Sequence, residues 1–238
     1  MKRDIEMDIA ENIKRVKENI AIAAQKAGRS PEEIVLVGAS KMNDADTVRR
    51  AIAAGLPACG ENRVQEMLEK EKAGAYEGAQ LHFIGKLQQN KVKKVVGLAK
   101  LIHSVDSTAL MEAISRTAEQ KGMVQEILIE INIAKEEAKS GFAPEECAAA
   151  IASCSKYPGL RVRGLMCVPP ICTSGEENRP YFTLLHQLFI DNSEKKYDNV
   201  DMDFMSMGMS GDYMTAIECG ANMIRVGSAI FGPRNYTL

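Results

Sequence analysis

Short apolar runs rich in Val, Ile and Leu alternate with helical stretches along most of the chain, and this alternation constrains the fold more than any other feature. Eight runs read as strands, at residues 34–37, 56–60, 81–85, 101–105, 127–133, 160–168, 203–207 and 223–226. The stretches between them have helical character, at residues 45–54, 63–72, 88–96, 108–121, 144–155, 180–193 and 212–219. Strand and helix therefore alternate with the period of βαβ units.

Eight such units predict an α/β fold, a single (β/α)8 TIM barrel domain over residues 1–238. A doubly wound open sheet is the competing architecture, but it usually has fewer strands, and no linker divides the sequence. An extra N-terminal helix is expected over residues 4–27, because Ile5, Ile9, Ile13 and Ile20 recur at helical spacing. Gly28 follows, where a glycine commonly ends a helix.

The alternation of side chains along each strand predicts which residues face the barrel interior. In the fifth run the isoleucines share one face, so Glu130 and Asn132 are expected to point into the barrel. The same reasoning applies to Arg161, Arg163 and Arg225 on later runs. Charges inside a barrel are costly unless they are paired or used. A pair between Glu130 and Arg163 is one expectation, and a ligand role for these residues is the other.

Composition excludes several partner classes. The formal net charge is −2, from 30 basic and 32 acidic residues, so neither nucleic acid nor membrane is expected as the partner. The first twenty residues interleave charges with apolar positions, unlike a secretory signal or a membrane span. The six cysteines form no CxxC pair and the three histidines are scattered, so core thiols and no metal site are expected. A cytoplasmic protein with a small-molecule ligand is the prediction.

Two glycine-containing turns, SMGMSGDYMTAI and RVGSAIFG, belong to the last two strands. In barrels the loops after strands 7 and 8 often hold a phosphate with backbone N–H groups and small hydroxyls. Ser210, Gly211, Gly227 and Ser228 suit such a cradle, although Gly-Ser turns also simply end strands.

The stretch IVLVGASKMN, residues 34–43, contains the first predicted strand and, four residues after its end, Lys41. Because barrel closure makes strand 1 a neighbour of strand 8, Lys41 is expected at the same rim as the cradle. An amine beside a phosphate cradle suits a phosphorylated carbonyl compound held as a Schiff base. The plain alternative is a lysine that opens a solvated loop.

Seven ordered motifs resemble those of a known family: VGASK, GENRVQE, HFIGKLQQNK, KSGF, RGLM, SMGMSGDYMTAI and RVGSAIFG. From about Ile34 to Phe231 the chain is similar to the pyridoxal phosphate homeostasis proteins, whose barrel is alanine racemase N-terminal domain-like. The resemblance implies that Lys41 holds pyridoxal 5'-phosphate (PLP) as a Schiff base. It also implies the cofactor-binding residues that surround Lys41, namely Ser210, Gly227 and Ser228 at the phosphate, Arg225 at the pyridine nitrogen, and Asn62 and Ser206 nearby.

The sequence departs from the family pattern at two positions near the expected rim. Met42 stands soon after the lysine, where many relatives have a proline, and Arg63 replaces a frequent tyrosine of the GEN motif. Neither position is the Schiff-base lysine or a phosphate turn, so the departures put only the shape of the rim in doubt.

Three functions are consistent with these residues. The first is a PLP-binding protein of vitamin B6 homeostasis, which buffers the cofactor or delivers it to PLP-dependent apoenzymes, as a monomer and without strong catalysis. An arginine at the pyridine nitrogen fits this, because a charged donor disfavours ring protonation and so restrains carbanion chemistry. The second is a PLP-dependent amino-acid racemase, which needs acid/base groups on both faces of the cofactor. The third is a metal-free aldolase that uses Lys41 on a sugar phosphate.

The racemase hypothesis has a specific difficulty in this sequence. Alanine racemases take one acid/base group from a tyrosine of another subunit and complete the site with a β domain. The sequence ends at Leu238, soon after the eighth predicted strand, and offers no second domain. The homeostasis hypothesis is therefore favoured. The aldolase hypothesis gives no reason for a lysine on strand 1.

Overall fold

A computed structural model describes residues 8–233, in which parallel strands form a ring inside a layer of helices. The strands are β1 (Val35–Ala39), β2 (Ala58–Glu61), β3 (Gln80–Phe83), β4 (Leu101–Val105), β5 (Gln125–Ile131), β6 (Leu160–Cys167), β7 (Val200–Ser206) and β8 (Met223–Val226). Each strand pairs with the next, and β8 pairs with β1, which closes the barrel. The (β/α)8 barrel is confirmed, and every strand end lies within three residues of its predicted position.

The helices around the barrel are α1 (Ile9–Lys26), α2 (Ala45–Ala53), α3 (Val64–Lys72), α4 (Val92–Val95), α5 (Thr108–Gln120), α6 (Cys147–Ser153), α7 (Arg179–Ser193), α8 (Tyr213–Glu218) and α9 (Ser228–Phe231). The predicted helices are present, but α4 and α6 are shorter than expected because 3₁₀ turns replace their ends. Helix α9 was not predicted from the sequence. Within residues 8–233, no helix combines the length and the apolar character needed to cross a membrane.

Helix α1 is the predicted extra helix, and it begins after Asp8, whose side chain accepts hydrogen bonds from the first backbone N–H groups. It ends before Gly28, which has a φ of +67°. Its buried face packs against α8 and α9, and Asn12 Nδ2 donates to the backbone oxygen of Ile230 at 3.0 Å. The predicted start of this helix at residue 4, including Ile5, lies outside the described residues.

The apolar core has two parts, as the alternation of strand residues predicted. Ile127, Ile129 and Ile131 belong to the layer between the strands and the helices. Leu128 belongs instead to a smaller cluster inside the barrel, which contains Val37, Ala58, Leu101, Leu128, Met166 and Met223. The two faces of β5 are therefore assigned correctly.

The predicted pair between Glu130 and Arg163 is wrong. Arg163 forms ion pairs with Glu126 and with Asp203, at 2.7 Å for the latter. Glu130 lies opposite Met166 in the β5/β6 register, nearer the carboxyl end of the barrel. The physical reason is a register shift beside Gly164, where the backbone has a φ of +137° and the strand alternation is interrupted.

The expectation that Arg161 points into the barrel is also wrong. Its side chain is 52% exposed and pairs with Asp201 on β7. Arg161 stands near the amino end of β6, the longest strand. At this end of the strand its side chain extends into solvent rather than into the barrel interior.

The cysteines are core residues, as expected. Cys59, Cys147, Cys154, Cys167 and Cys219 are buried, Cys172 is partly exposed, and all six thiols are free. Burial is the main cause that raises the pKa of Cys167 to about 12, so this thiol stays protonated at neutral pH.

Candidate functional site

Lys41 lies two residues beyond the end of β1, at the carboxyl rim of the barrel, and is half-buried. The preceding residue continues the strand ladder, because the Ser40 N–H donates to the Gly60 oxygen at 3.0 Å. Asn43 closes the turn with its N–H on the Ser40 oxygen at 3.2 Å and its side-chain amide on the Lys41 oxygen at 3.1 Å. The backbone that presents Lys41 is therefore fixed on both sides.

The two departures from the family pattern meet at one carboxylate. Met42 has a φ of +63°, which is uncommon for a residue other than glycine, and its N–H donates to Glu66 Oε2 at 2.8 Å. Arg63 contacts Glu66 Oε1 at 3.4 Å. Both side chains are largely exposed, so together they shape the outer rim beside Lys41 without entering the barrel.

A buried ion pair supports the turn from behind. Glu61 Oε1 accepts hydrogen bonds from Ser40 Oγ at 2.7 Å, Lys70 Nζ at 2.7 Å and Tyr76 Oη at 3.0 Å. Lys70 Nζ also donates to the backbone oxygen of Ser40 at 2.8 Å. Burial, and then the Glu61 charge, raises the pKa of Tyr76, which remains a hydrogen-bond donor. This network links α3 to the residue that precedes Lys41.

The loops after β7 and β8 are joined by Ser210. Its Oγ accepts hydrogen bonds from the N–H groups of Gly227 at 3.1 Å and of Ala229 at 3.3 Å. Gly227 lies against β1, since a Cβ built on it would stand 3.5 Å from both the Cβ and the oxygen of Ala39. Ser228, the exposed first residue of α9, directly follows Gly227. The strand that leads to Lys41 and the glycine-serine turns are thus side by side, as predicted from barrel closure.

Asp212 holds the loop after β7 in its shape. Its Oδ1 accepts from the Met209 N–H at 2.6 Å, and its Oδ2 accepts from Asn178 Nδ2 at 2.8 Å. Gly208 has a φ of +91° and packs so closely on α8 that a side chain there would meet its backbone. A Cβ on Gly211, in contrast, would meet no heavy atom of the described part of the chain within 4 Å. The loop is closely packed and hydrogen-bonded at its base and open at its tip.

Arg225 is buried inside the barrel one residue below the turn of β8, and it pairs with Val37 of β1 in the strand register. One guanidinium nitrogen, Nη1, donates to Ser206 Oγ at 2.6 Å, and Nη2 donates to the Cys167 oxygen at 2.9 Å. Burial lowers the pKa of Arg225, while neighbouring acidic groups including Glu130 act in the opposite direction. An arginine nevertheless stays charged at neutral pH. Ser206 lies behind this guanidinium.

A cavity of about 290 Å³ opens at the same rim on the side of β2 to β6. Asn62 lines it, and its Oδ1 is a buried oxygen without a hydrogen-bond partner among the described residues. Glu130 also lines it, and its pKa is raised to about 7, first by burial and then by the charge of Asp106, against Arg225 and Lys86. The cavity therefore offers an unsatisfied acceptor and a carboxyl group that titrates near neutral pH.

A larger cavity of about 550 Å³ lies at the opposite, amino-terminal mouth of the barrel. Its charged lining includes Lys100, Glu126 and Arg163, in which Glu126 Oε2 lies 2.9 Å from Lys100 Nζ. Functional groups of barrels of this kind stand at the carboxyl ends of the strands. The predicted site residues do the same, which makes the carboxyl rim the candidate site.

The structure brings most of the predicted residues together and adds others. Lys41, Ser210, Gly227 and Ser228 lie beyond the carboxyl ends of the adjacent strands β1, β7 and β8. Ser206 and Arg225 lie within β7 and β8, and Asn62 directly follows β2. Four buried polar residues close to this site were not predicted from the sequence, namely Glu61, Lys70, Tyr76 and His103. A charged or imidazole side chain inside an apolar strand was the available signal for Glu61 and His103.

Comparison with known proteins agrees with this arrangement. The family model for the N-terminal domain of alanine racemase matches residues 12–235. The chain is 41% identical over 230 residues to the pyridoxal phosphate homeostasis protein of Aquifex aeolicus, across 97% of this chain and 100% of that protein. It is 36% identical over 234 residues to the protein of the same name from Escherichia coli K12, across 97% and 98%.

A solved structure extends the comparison to three dimensions. PipY of Synechococcus elongatus, solved with PLP bound, superposes with a TM-score of 0.81 at 31% identity, over 94% of this chain and 100% of that one. The sequence matches and the shared barrel lead to one assignment: the chain belongs to the pyridoxal phosphate homeostasis protein family, within the fold family of the alanine racemase N-terminal domain.

Proposed function

We propose that this protein binds PLP reversibly, with Lys41 holding it as a Schiff base, and that it serves in PLP homeostasis without strong catalysis. One observation carries the proposal: Gly227 lies against Ala39, so the strand that presents the amine and the turn that offers backbone N–H groups are neighbours. A phosphorylated aldehyde needs both groups within the length of one small molecule.

The residues around Lys41 fit the charges of PLP. The N–H groups of Gly227 and Ala229 donate to Ser210 Oγ, and Ser228 begins a short helix beside them. An anionic phosphate that replaces Ser210 Oγ as their acceptor would meet these two donors together with the serine hydroxyls. The open space at Gly211 leaves room beside them. Across the rim, the unpartnered Oδ1 of Asn62 is free to accept a hydrogen bond from a ligand. These features support phosphate binding by Ser210, Gly227 and Ser228.

Arg225 supports a holding role over a catalytic one. PLP supplies an aldehyde that captures amines and a ring that stabilises negative charge when its nitrogen is protonated. Arg225 has donors only and stays charged, so in contact with that nitrogen it opposes protonation. The bonds to Ser206 and Cys167 fix this guanidinium in the barrel interior. Under the proposal the protein therefore binds PLP without making its ring a strong electron acceptor.

The names of the relatives support the homeostasis part of the proposal. Under it, the protein is a monomer that buffers PLP and delivers it to PLP-dependent apoenzymes. Two measurements test these points: the molar mass in solution, and the recovery of activity when the PLP-loaded protein is mixed with an apoenzyme. Delivery faster than the release of PLP into buffer is expected. A rate equal to spontaneous release would reduce the role to storage.

The decisive experiment is chemical trapping. The purified protein is incubated with PLP, reduced with borohydride and digested, and the peptide containing residue 41 is expected to carry one pyridoxyl group. Lys41→Ala is expected to lose both the label and the yellow colour. Lys100→Ala is the matched control, because Lys100 lines a cavity at the opposite mouth and its replacement is expected to change neither. A wild-type protein that stays colourless and unlabelled overturns the proposal.

A racemase is the second candidate, and Glu130 favours it. A carboxyl group with a pKa of about 7 beside the site is what proton transfer at neutral pH requires. Loss of optical activity of amino acids, screened with the PLP-loaded protein, separates the two functions. Turnover that disappears in Glu130→Gln would establish the racemase, whereas absence of turnover supports the homeostasis role.

A further inference from the structure

A column of hydrogen-bonded polar side chains crosses the barrel interior beneath the proposed PLP site. It starts at Arg225, whose Nη1 donates to Ser206 Oγ at 2.6 Å. Ser206 Oγ lies 3.0 Å from His103 Nδ1, and His103 Nε2 lies 3.0 Å from His82 Nδ1. The column ends at Gln80, whose Oε1 lies 3.2 Å from His82 Nε2. It thus joins β8, β7, β4 and β3.

The chemistry of these groups sets the direction of every bond in the column. Gln80 Oε1 can only accept, so His82 donates from Nε2 and, when neutral, accepts at Nδ1. His103 must then donate from Nε2 and accept at Nδ1.

The direction of the bond at His103 also determines which bond the Ser206 hydroxyl donates and which it accepts. The Ser206 hydroxyl donates its proton to His103 Nδ1, and its oxygen accepts from the guanidinium of Arg225. Donation therefore runs in one direction, from Arg225 to Gln80, with both histidines neutral and protonated at Nε2.

The surroundings favour the neutral histidines that this order needs. His82 and His103 are 1% and 0% exposed. Burial is the first cause that lowers the pKa of His82 to about 4 and that of His103 well below the ordinary value. Leu101 and Leu128 of the inner cluster lie around them, and the charges of Glu126 and Lys100 act on His82 in opposite directions. Buried polar groups in such a setting are tolerated only when each has a partner, so the members depend on one another.

The column cannot carry a proton to the ligand, because arginine does not release one in proteins. Its effect is geometric. Since the Ser206 proton is committed to His103, a lone pair of Ser206 faces Arg225 and holds Nη1 in place, while the Cys167 oxygen holds Nη2. Two of the five guanidinium N–H groups are used in these bonds, and their directions fix those of the others.

We propose that His103, supported by His82, is a positioning residue of the PLP site: it orients the Ser206 hydroxyl so that Arg225 is held ready to donate to the ring nitrogen of PLP. The inference rests on the proposed PLP binding for the identity of the ligand. It assigns a role to two residues that connect to Arg225 only through Ser206 in the column. The order of the bonds itself can be measured on the protein alone.

The first experiment measures the order of the bonds by long-range ¹H–¹⁵N NMR of the imidazole rings at pH 7. The chain has three histidines, so His82→Asn and His186→Asn suffice to assign the signals. Both His82 and His103 are expected to be neutral with the proton on Nε2. A proton on Nδ1 of either ring, or a charged His103, would overturn the inference whether or not PLP binds.

The second experiment measures PLP affinity and, at saturation, the absorption spectrum of the bound cofactor. His103→Phe removes the acceptor of Ser206, and we expect about tenfold weaker binding and a shifted absorption band. His103→Gln offers one acceptor and one donor, and is expected to restore most of both properties. His186→Phe, on the outer helix α7, is the control and is expected to change neither.

The outcomes separate this inference from the proposed function. A wild-type protein that does not bind PLP overturns the function, while the NMR result still decides the order of the bonds. A wild-type protein that binds PLP, with an unchanged spectrum and affinity in His103→Phe, overturns the inference. A loss of stability alone would not shift the spectrum at saturation. Should His103→Phe not fold, Ser206→Ala removes the same link and is expected to shift the spectrum in the same way.

Discussion

Lys70 Nζ lies 2.7 Å from Glu61 Oε1, and the two side chains are 7% and 0% exposed. The pair stands behind the turn of Lys41, because Lys70 and Ser40 share the same carboxylate oxygen and Lys70 also holds the Ser40 backbone. The other oxygen, Glu61 Oε2, is buried and has no hydrogen-bond partner within residues 8–233. A buried charge pair contributes little net stability compared with an apolar pair, but it becomes costly when one partner is removed.

The first prediction follows from this pair. Lys70→Met leaves the Glu61 carboxylate buried without its cation and should lower the free energy of unfolding by about 3–5 kcal/mol. The double variant Glu61→Gln with Lys70→Met removes both charges, and its free energy of unfolding should fall by clearly less than that of Lys70→Met. Urea unfolding at pH 7 measures both. Arg49→Ala, which breaks an exposed pair with Asp46, is the control and should cost at most about 1 kcal/mol. Equal losses in Lys70→Met and Arg49→Ala would contradict the prediction.

The second prediction concerns Gly164, the residue at which β6 loses its regular alternation. A Cβ there would stand 1.8 Å from the Phe204 oxygen, and the backbone has a φ of +137°. Gly164→Ala should therefore cost more than about 4 kcal/mol or prevent folding. Gly28→Ala is the matched control, since Gly28 also has a positive φ but a Cβ on it would meet no atom of the described residues within 4 Å. That variant should cost only about 1–2 kcal/mol in thermal or urea unfolding.

The third prediction is a pH dependence caused by Glu130. Its pKa is raised to about 7 in the folded protein, so between the ordinary glutamate value and pH 7 the folded state holds a proton that the unfolded state has released. The contribution of Glu130 to the free energy of unfolding is fully present at low pH. It is lost as the pH rises through that window, by at most about 1.4 kcal/mol per pH unit.

The test of this dependence uses two variants. Glu130→Gln cannot titrate, so its stability relative to wild type should increase from pH 5 to pH 8. Glu137→Gln removes one exposed carboxylate and serves as the control, without such an increase. A constant difference between Glu130→Gln and wild type over this range would show that Glu130 titrates normally.

The fourth prediction concerns the cradle. Ser210→Ala removes the oxygen that accepts from the N–H groups of Gly227 and Ala229, and with it one hydroxyl donor for a phosphate. PLP binding should weaken by about tenfold, which corresponds to one lost hydrogen bond. Binding of pyridoxal without the phosphate should change little. Ser155→Ala, at an exposed position in the 3₁₀ turn after α6, provides the control. Equal weakening for PLP and for pyridoxal would place Ser210 elsewhere than at the phosphate.

The sequence alone determined the architecture of this protein. Alternating apolar strands and amphipathic helices have few ways to bury their faces, and eight units in chain order close into a barrel. Closure then makes the first and last strands neighbours, which is why the contact of Gly227 with β1, the strand that leads to Lys41, could be predicted without coordinates. The inward direction of Arg225 also followed from the alternation of side chains on one strand.

Only the tertiary structure decided which polar groups meet. Arg163 pairs with Glu126 rather than Glu130 because a register shift at Gly164 interrupts the alternation on which the prediction depended. Lys70 reaches Glu61, and His103 reaches Ser206, across distances in sequence that no local pattern encodes. The alternation of a strand gives the face on which a side chain lies, whereas partners across a barrel depend on the stagger of all eight strands.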